Sequence, residues 1–316
     1  MHNKVKITVL AAVALSLIIT FIFIQSGTNW GYVLPRRGIK ILAIVLTAAA
    51  IAFSTMVFQT ITNNRILTPS ILGLDSLYML FQTFIVYFFG SAALSLMSKH
   101  MHFAASVGLM VVFSGVLYKI IFKRDGQNIY FLLLIGIIMG TLFQSVSSFM
   151  QVMIDPNEFL HVQDKMFASF NRIGSDLLTV SFIVVLGVAV YFWKFAKYLD
   201  VLSLGKEHAI NLGINYDHVV KRLLILVAIL ISISTALVGP ITFLGLLVAN
   251  VAHQMFRTYR HSILIPGSIL ISIVALVGGQ LIVERVFTFT TTVSVVINLI
   301  GGIYFIYLLL KENKSW

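Results

Sequence analysis

Leu204-Gly205-Lys206-Glu207-His208-Ala209-Ile210-Asn211-Leu212-Gly213 is a small, charged, glycine-bounded insert between two long apolar runs, 176–196 and 219–238. An ionised group held in hydrocarbon costs several kcal/mol, so the insert belongs in water or against a soluble partner while its flanks lie in lipid. That contrast fixes the class: apolar helices that cross a membrane, joined by short polar connections. The two glycines frame a short helix, with Ala209 and Leu212 three apart on one face to seat small apolar groups in a partner's groove while Lys206 and Glu207 stay wet. On the residues alone, an ordinary solvated loop is the default between spans.

The rest of the chain agrees. Of its 316 residues 59% are apolar and 10% charged, and the mean hydropathy is +0.99, so most of the surface faces lipid or other apolar helices. The net charge of +11 is spread among the connections rather than gathered on one soluble face, which argues against nucleic acid as a partner. With no cysteine, disulfides and thiolate metal sites are excluded. No Walker A sequence is present, so any ATP is handled by another chain.

At about 20 residues per span, apolar segments fall near 6–25, 39–60, 70–90, 103–121, 128–150, 176–196, 219–238, 242–256, 263–283 and 291–310. The first follows Lys4 and Lys6 but shows no small-residue cleavage site near Gln25, and reads as a retained helix. Gly239-Pro240 breaks what would otherwise be one long run. With the N-terminus inside, 15 Lys and Arg fall on the cytoplasmic side and seven outside, among them Arg36, Arg37, Lys99, Arg172 and Arg285. This favours an all-α polytopic protein of about ten spans with both termini cytoplasmic. The polar stretch 151–175 is too short for a domain and reads as an outer loop with a partial helix, leaving one transmembrane domain over residues 1–316.

Several polar residues lie in or beside spans. Asp75 borders the third, where it reads as a residue of a helix's first turn stabilised by the dipole, or as the coupling acid of an ion-gradient-driven carrier. In the fifth, Thr141, Gln144, Ser145 and Ser148 share one stripe that either lines a translocation path or packs against another helix with Gly136 and Gly140. Arg36, Arg37 and Arg285 sit at predicted outer helix ends, where anchoring at the headgroups explains them as well as a docking role does. His100, His102, His253 and His261 lack the spacing of a helical ligand pair, and no catalytic triad or paired carboxylates point to an enzyme.

Four stretches in order resemble the permease subunits of ATP-binding-cassette (ABC) importers for iron-siderophores and vitamin B12, the FecCD or type II importer family, over nearly the whole chain. Val33-Leu-Pro-Arg-Arg37 resembles that family's Arg-x-Pro-Arg, and Asn64-Arg-Ile-Leu-Thr-Pro-Ser-Ile-Leu-Gly73 its Asn-Pro-Leu-Ala-x-Pro-x-x-Leu-Gly. The insert, Leu204 to Gly213, is similar to Leu-Gly-Glu-x-x-Ala-x-x-Leu-Gly. Gly239 to His253 is similar to Gly-x-Ile-Gly-Phe-x-Gly-Leu-x-x-Pro-His-x-x-Arg, with Ala249, Asn250 and His253 in place of the Pro, His and Arg. Val33 and Arg65 are further departures, which mark a divergent member.

The resemblance implies a type II importer permease that does no covalent chemistry and holds no cofactor. ABC ATPase subunits would grip Leu204, Gly205, Lys206, Glu207, His208, Ala209, Leu212 and Gly213. An extracytoplasmic siderophore-binding protein would dock on Arg36 and Arg285, with Arg37 as a helper, and Thr141, Gln144, Ser145 and Ser148 would line the path. A second permease, identical or different, would complete the pore in the cell membrane, surrounded by lipid. Within the family the chain looks most like permeases for petrobactin-type or other catecholate siderophores. The competing readings are the ion-gradient carrier built on Asp75 and a scaffold or receptor subunit.

Overall fold

In a computed structural model that describes residues 2–24, 30–121, 129–171 and 173–312, each apolar segment becomes one helix. The ten are α1 (His2–Phe23), α2 (Trp30–Thr62), α3 (Leu74–Leu96), α4 (Lys99–Ile121), α5 (Ile129–Met153), α7 (Ser175–Phe192), α10 (Tyr216–Val238), α11 (Leu244–Phe256), α12 (His261–Arg285) and α13 (Val293–Glu312). Three short helices occupy polar connections: α6 (Pro156–Met166), α8 (Ala196–Leu202) and α9 (Lys206–Asn211). A 3-10 turn, Pro69–Leu72, precedes α3. No strand is found among the described residues. Lys123, Arg124, Arg172 and Lys314, used in the sequence count of basic residues, lie outside them.

Among the described residues, seven helices are long and apolar enough to cross a membrane: α1, α2, α4, α5, α7, α10 and α12. The other apolar helices are shorter, with runs of Leu74–Gly90, Leu244–Phe256 and Val293–Tyr307. In α3 the helical backbone breaks at Gly90, which has φ 72° and ψ 169°. The partial helix expected in 151–175 is α6, started by Pro156 and by the Asp155 carboxylate, which accepts from the Asn157 N–H at 2.9 Å.

Position in the bundle does not follow from hydropathy, since α1 and α2 are almost equally apolar. The most apolar 18-residue windows of α2 and α10 are 78% and 72% buried, whereas that of α1 is 11% buried. A helix apolar all round serves equally in a core or against lipid, and neighbours decide which. Here α2 is the hub, packed on α1, α7, α10, α11 and α12. Small residues set the closest approaches. A Cβ on Gly245 of α11 would lie 2.1 Å from Thr55 Oγ1 of α2, and one on Gly267 of α12 would lie 2.2 Å from Phe256. Gly136 and Gly140 of α5 receive the turn before α3: a Cβ on Gly136 would meet Leu72 Cα at 2.9 Å, and one on Gly140 would meet Gly73 Cα at 3.1 Å.

Two ends of the bundle are defined by side-chain contacts. At one, the start of α1 meets the end of α11 through Lys6 Nζ, which donates to Met255 O at 2.6 Å. The end of α2, the start of α12 and α8 gather there too. At the other, the end of α1 meets the early part of α2 and the end of α12 through Arg37 and Arg285. Between α10 and α11 the chain turns at Gly239, φ +107°, as the Gly-Pro sequence predicts. Residues 167–169 seat beneath that turn, with the Ser169 N–H donating to Val238 O at 2.9 Å.

Candidate functional site

The insert singled out in the sequence forms a helical hairpin with α8. Residues Phe195, Leu199 and Leu202 repeat at i, i+4 and i+7, and that stripe is buried, anchoring α8 on the bundle. Gly205 then adopts φ 98° and ψ 166°, a region essentially reserved for glycine, and α9 begins. Gly213, φ +82°, ends it, its N–H donating to Ile210 O at 2.8 Å. The expected pairing of Ala209 with Leu212 on one face is corrected: Ala209 is fully buried in the chain's own core, because it lies on the side of α9 facing the bundle. The exposed apolar surface comes instead from Leu204 (56%), Ile210 (49%) and Leu212 (64%). Glu207 and His208 are exposed, and Lys206 lies over the Tyr216 ring with Nζ 5.6 Å from its centre.

Behind this hairpin lies a set of polar contacts that the sequence did not announce. Asp200 of α8 accepts from the His261 backbone N–H at 2.8 Å and from its ring Nδ1 at 2.7 Å, while Nε2 lies 2.7 Å from Thr60 Oγ1 of α2. Nearby, Arg65 O accepts from Gln59 Nε2 at 2.6 Å and from Asn250 Nδ2 at 2.9 Å. Two departures from the family pattern, Arg65 and Asn250, therefore meet at one carbonyl. Asp200 and His261 are distant in sequence and belong to no motif, so only the fold could reveal them.

At the opposite end the three arginines divide. Arg37 Nη1 lies within hydrogen-bonding distance of Phe21 O (3.0 Å), Ile22 O (2.6 Å) and Ile24 O (2.8 Å). Arg285 Nη2 reaches Ile24 O at 3.0 Å. The last carbonyls of a helix lack intrahelical donors and carry partial negative charge, so both cations cap the end of α1. Next to them Lys40 pairs with Glu284 at 2.7 Å, and Gln280 supports the same carboxylate. Arg36 is different: exposed and bonded to the Tyr32 hydroxyl, it lines two clefts at this end of ≈ 550 Å³ each, both also bordered by Lys99 and one by Arg37.

The stripe on α5 separates cleanly from that helix's packing face. Gly136, Gly140, Ser147 and Met150 are buried, and Ser147 bonds Thr83 of α3 at 2.9 Å, whereas Thr141, Gln144, Ser145 and Ser148 are all exposed on the surface of the chain. Helix packing within this chain thus uses the glycines and not the stripe. Gln144 borders a cleft of ≈ 440 Å³ shared with Asp75, Ser70 and Thr242. Asp75 stands in the first turn of α3, as expected, but its partner lies across the bundle: Thr235 Oγ1 of α10 donates to its Oδ1 at 3.1 Å.

The sequence pattern of the FecCD transport family matches residues 5–311. This chain belongs to the FecCD transport family. It is 66% identical over 316 residues to the petrobactin import system permease protein YclO of Bacillus subtilis, covering 100% of both chains. It is 40% identical over 281 residues to the petrobactin import system permease protein FatC of Bacillus anthracis, covering 89% of this chain and 79% of that one. Among solved structures it superposes on a metal-chelate type ABC transporter in an inward-facing conformation with a TM-score of 0.84, covering 98% of this chain and 99% of that one at 20% identity, a likeness of fold. The FecCD protein is thus an all-helical transport permease with several helices fit to cross a membrane.

Proposed function

We propose that this FecCD protein is the membrane permease subunit of an ABC importer that carries a ferric siderophore of petrobactin type into the cell. The observation that carries the reading is the glycine-framed α8–α9 hairpin, which offers Leu204, Ile210 and Leu212 to a soluble partner from one end of a FecCD-type bundle. High identity to a petrobactin permease over the full length supports the cargo. In this reading residues 1–316 form one permease domain in the cell membrane with ten spans and both termini cytoplasmic. An ATPase chain binds residues 204–213 and hydrolyses the ATP. An extracytoplasmic binding protein docks at the opposite end on Arg36, with Arg37 and Arg285 beside it.

The chain works without a cofactor of its own. A second permease, different in sequence, covers the exposed face of α5, so that Thr141, Gln144, Ser145 and Ser148 line the path between the two. An exposed polar stripe on a helix that packs inward with glycine suits that role better than contact with lipid. The test is reconstitution of the chain with the second permease, the ATPase and the binding protein in proteoliposomes, following uptake of ferric petrobactin. Uptake that requires ATP and the binding protein, and fails when Gly205 is replaced, is expected. Uptake driven by an ion gradient without ATP would overturn the reading.

A further inference from the structure

We propose that Asp200 and His261 are positioning residues that join the α8–α9 hairpin to the transmembrane helices and carry its movement into α12 and α2; the inference rests on the importer reading above. A hairpin continuous with α7 and α10 can pull directly only on those two helices. Reaching helices remote in sequence needs lateral connections, and α8 lies against both α2 and α12. Apolar contacts there, through Leu199 and Leu202, resist compression but let surfaces slide. Directional hydrogen bonds resist pulling as well.

The structure supplies one unbroken chain of them. Asp200 Oδ1 accepts twice from the first residue of α12, from its N–H at 2.8 Å and from Nδ1 at 2.7 Å. The backbone donor is one that a helix start leaves without an intrahelical partner, and a carboxylate there is favoured by the helix dipole. Because the carboxylate can only accept, Nδ1 carries the ring proton on that side. Nε2 then accepts from the Thr60 hydroxyl at 2.7 Å, which brings the chain of bonds onto α2. The His261 side chain is only 6% exposed and both its nitrogens are engaged, so the ring is held in one orientation, whereas the Asp200 side chain is 43% exposed and borders the hairpin's aqueous side. A rigid buried link with one end at the motor-facing surface is the arrangement that transmits displacement. The neighbouring Arg65 carbonyl, tied to Gln59 and Asn250, fixes the end of α2 on which the chain terminates.

The experiment measures ferric petrobactin transported per ATP hydrolysed by the full complex in proteoliposomes. Asp200→Ala and His261→Ala should keep the ATPase bound and hydrolysing while transport per ATP falls at least about threefold. The double variant should be no worse than the worse single one, since each breaks the same link. Asp200→Asn, whose Oδ1 still accepts from both donors, should restore coupling. Should either alanine chain fail to fold and insert, Thr60→Val removes the far bond with little change of shape and should lower transport per ATP by itself. Unchanged transport per ATP in these variants, or additive losses in the double, would overturn the joint. Loss of the ATPase from the Asp200→Ala complex would also overturn it, assigning Asp200 to the docking surface and leaving the importer reading intact. A wild-type chain that recruits no ATPase would sink the importer reading instead.

Discussion

The two ends of the bundle use conspicuous charges in opposite ways. At the hairpin end Glu207 and His208 stay exposed, and the segment is held by glycine turns, by buried apolar residues such as Leu199 and Ala209, and by the half-exposed Asp200 against His261. At the other end, two of three arginines are absorbed by the fold: Arg37 and Arg285 cap α1, and although Arg37 also borders one of the clefts, Arg36 alone of the three is exposed. Adjacent residues of the same type, Arg36 and Arg37, thus do different work. Charge at a helix end marks a place where a cation is favoured, but whether the electronegative partner is the protein's own carbonyl or another molecule depends on which way one helical step of about 100° turns the side chain.

The sharpest break in that comparison is expected at Gly205. With φ 98° and ψ 166°, this position forces any L-residue with a side chain into strain of about 1–3 kcal/mol. Gly205→Val should therefore misdirect α9 and abolish ATP-dependent uptake, while the chain still inserts and folds. Detergent-solubilised complexes examined for bound ATPase check it, and full retention of the ATPase would contradict a role for this turn. Leu212→Asp comes next. Because Leu212 is 64% exposed, the change should leave the melting temperature of the isolated chain unaltered yet weaken ATPase association by about tenfold or more, as expected for a truncated apolar anchor worth over about 1 kcal/mol.

At the opposite end, Arg37→Ala should act on stability rather than on recognition. It removes the cation that serves three carbonyls at the end of α1, and charge-assisted hydrogen bonds of this kind contribute about 1.5–3 kcal/mol. Thermal unfolding in detergent should show a lowered midpoint, with α1 more readily cleaved by protease. An unchanged midpoint together with lost binding-protein affinity would reverse the assignment of the two arginines.

How much of this was legible beforehand follows from the range of each interaction. Every apolar segment became a helix, since in lipid the backbone must satisfy itself locally and hydropathy alone reveals that demand. The break at Gly239-Pro240 and the glycine frame of α9 are likewise local, set by backbone conformations that few residues adopt. What could not be read were facing directions and pairings. Ala209 was expected to meet a partner and is buried, because a six-residue helix gives too short a pattern to show which side is inward. The Asp200–His261 contact joins residues 61 apart, and Asp75 finds Thr235 160 residues away. Such pairs exist only once helices have packed.

The smallest expected effect is at Arg36, and it is the one that isolates recognition from folding. Its side chain is exposed, shares two clefts with Lys99, and has the Tyr32 hydroxyl on its own helix as its partner, so Arg36→Ala should leave the thermal midpoint within error of the wild type. A rim cation facing a carboxylate partner mainly speeds encounter and sets its dependence on salt. Association of the purified binding protein with the complex in nanodiscs should therefore slow by about threefold at low ionic strength, with dissociation little changed, and the difference should shrink as salt screens beyond the ≈ 10 Å Debye length of 0.1 M solution. If Arg36→Ala and Arg37→Ala instead slowed association equally and neither lowered stability, the division of labour between the two neighbours would fail, and the whole arginine cluster would have to be read as one docking surface.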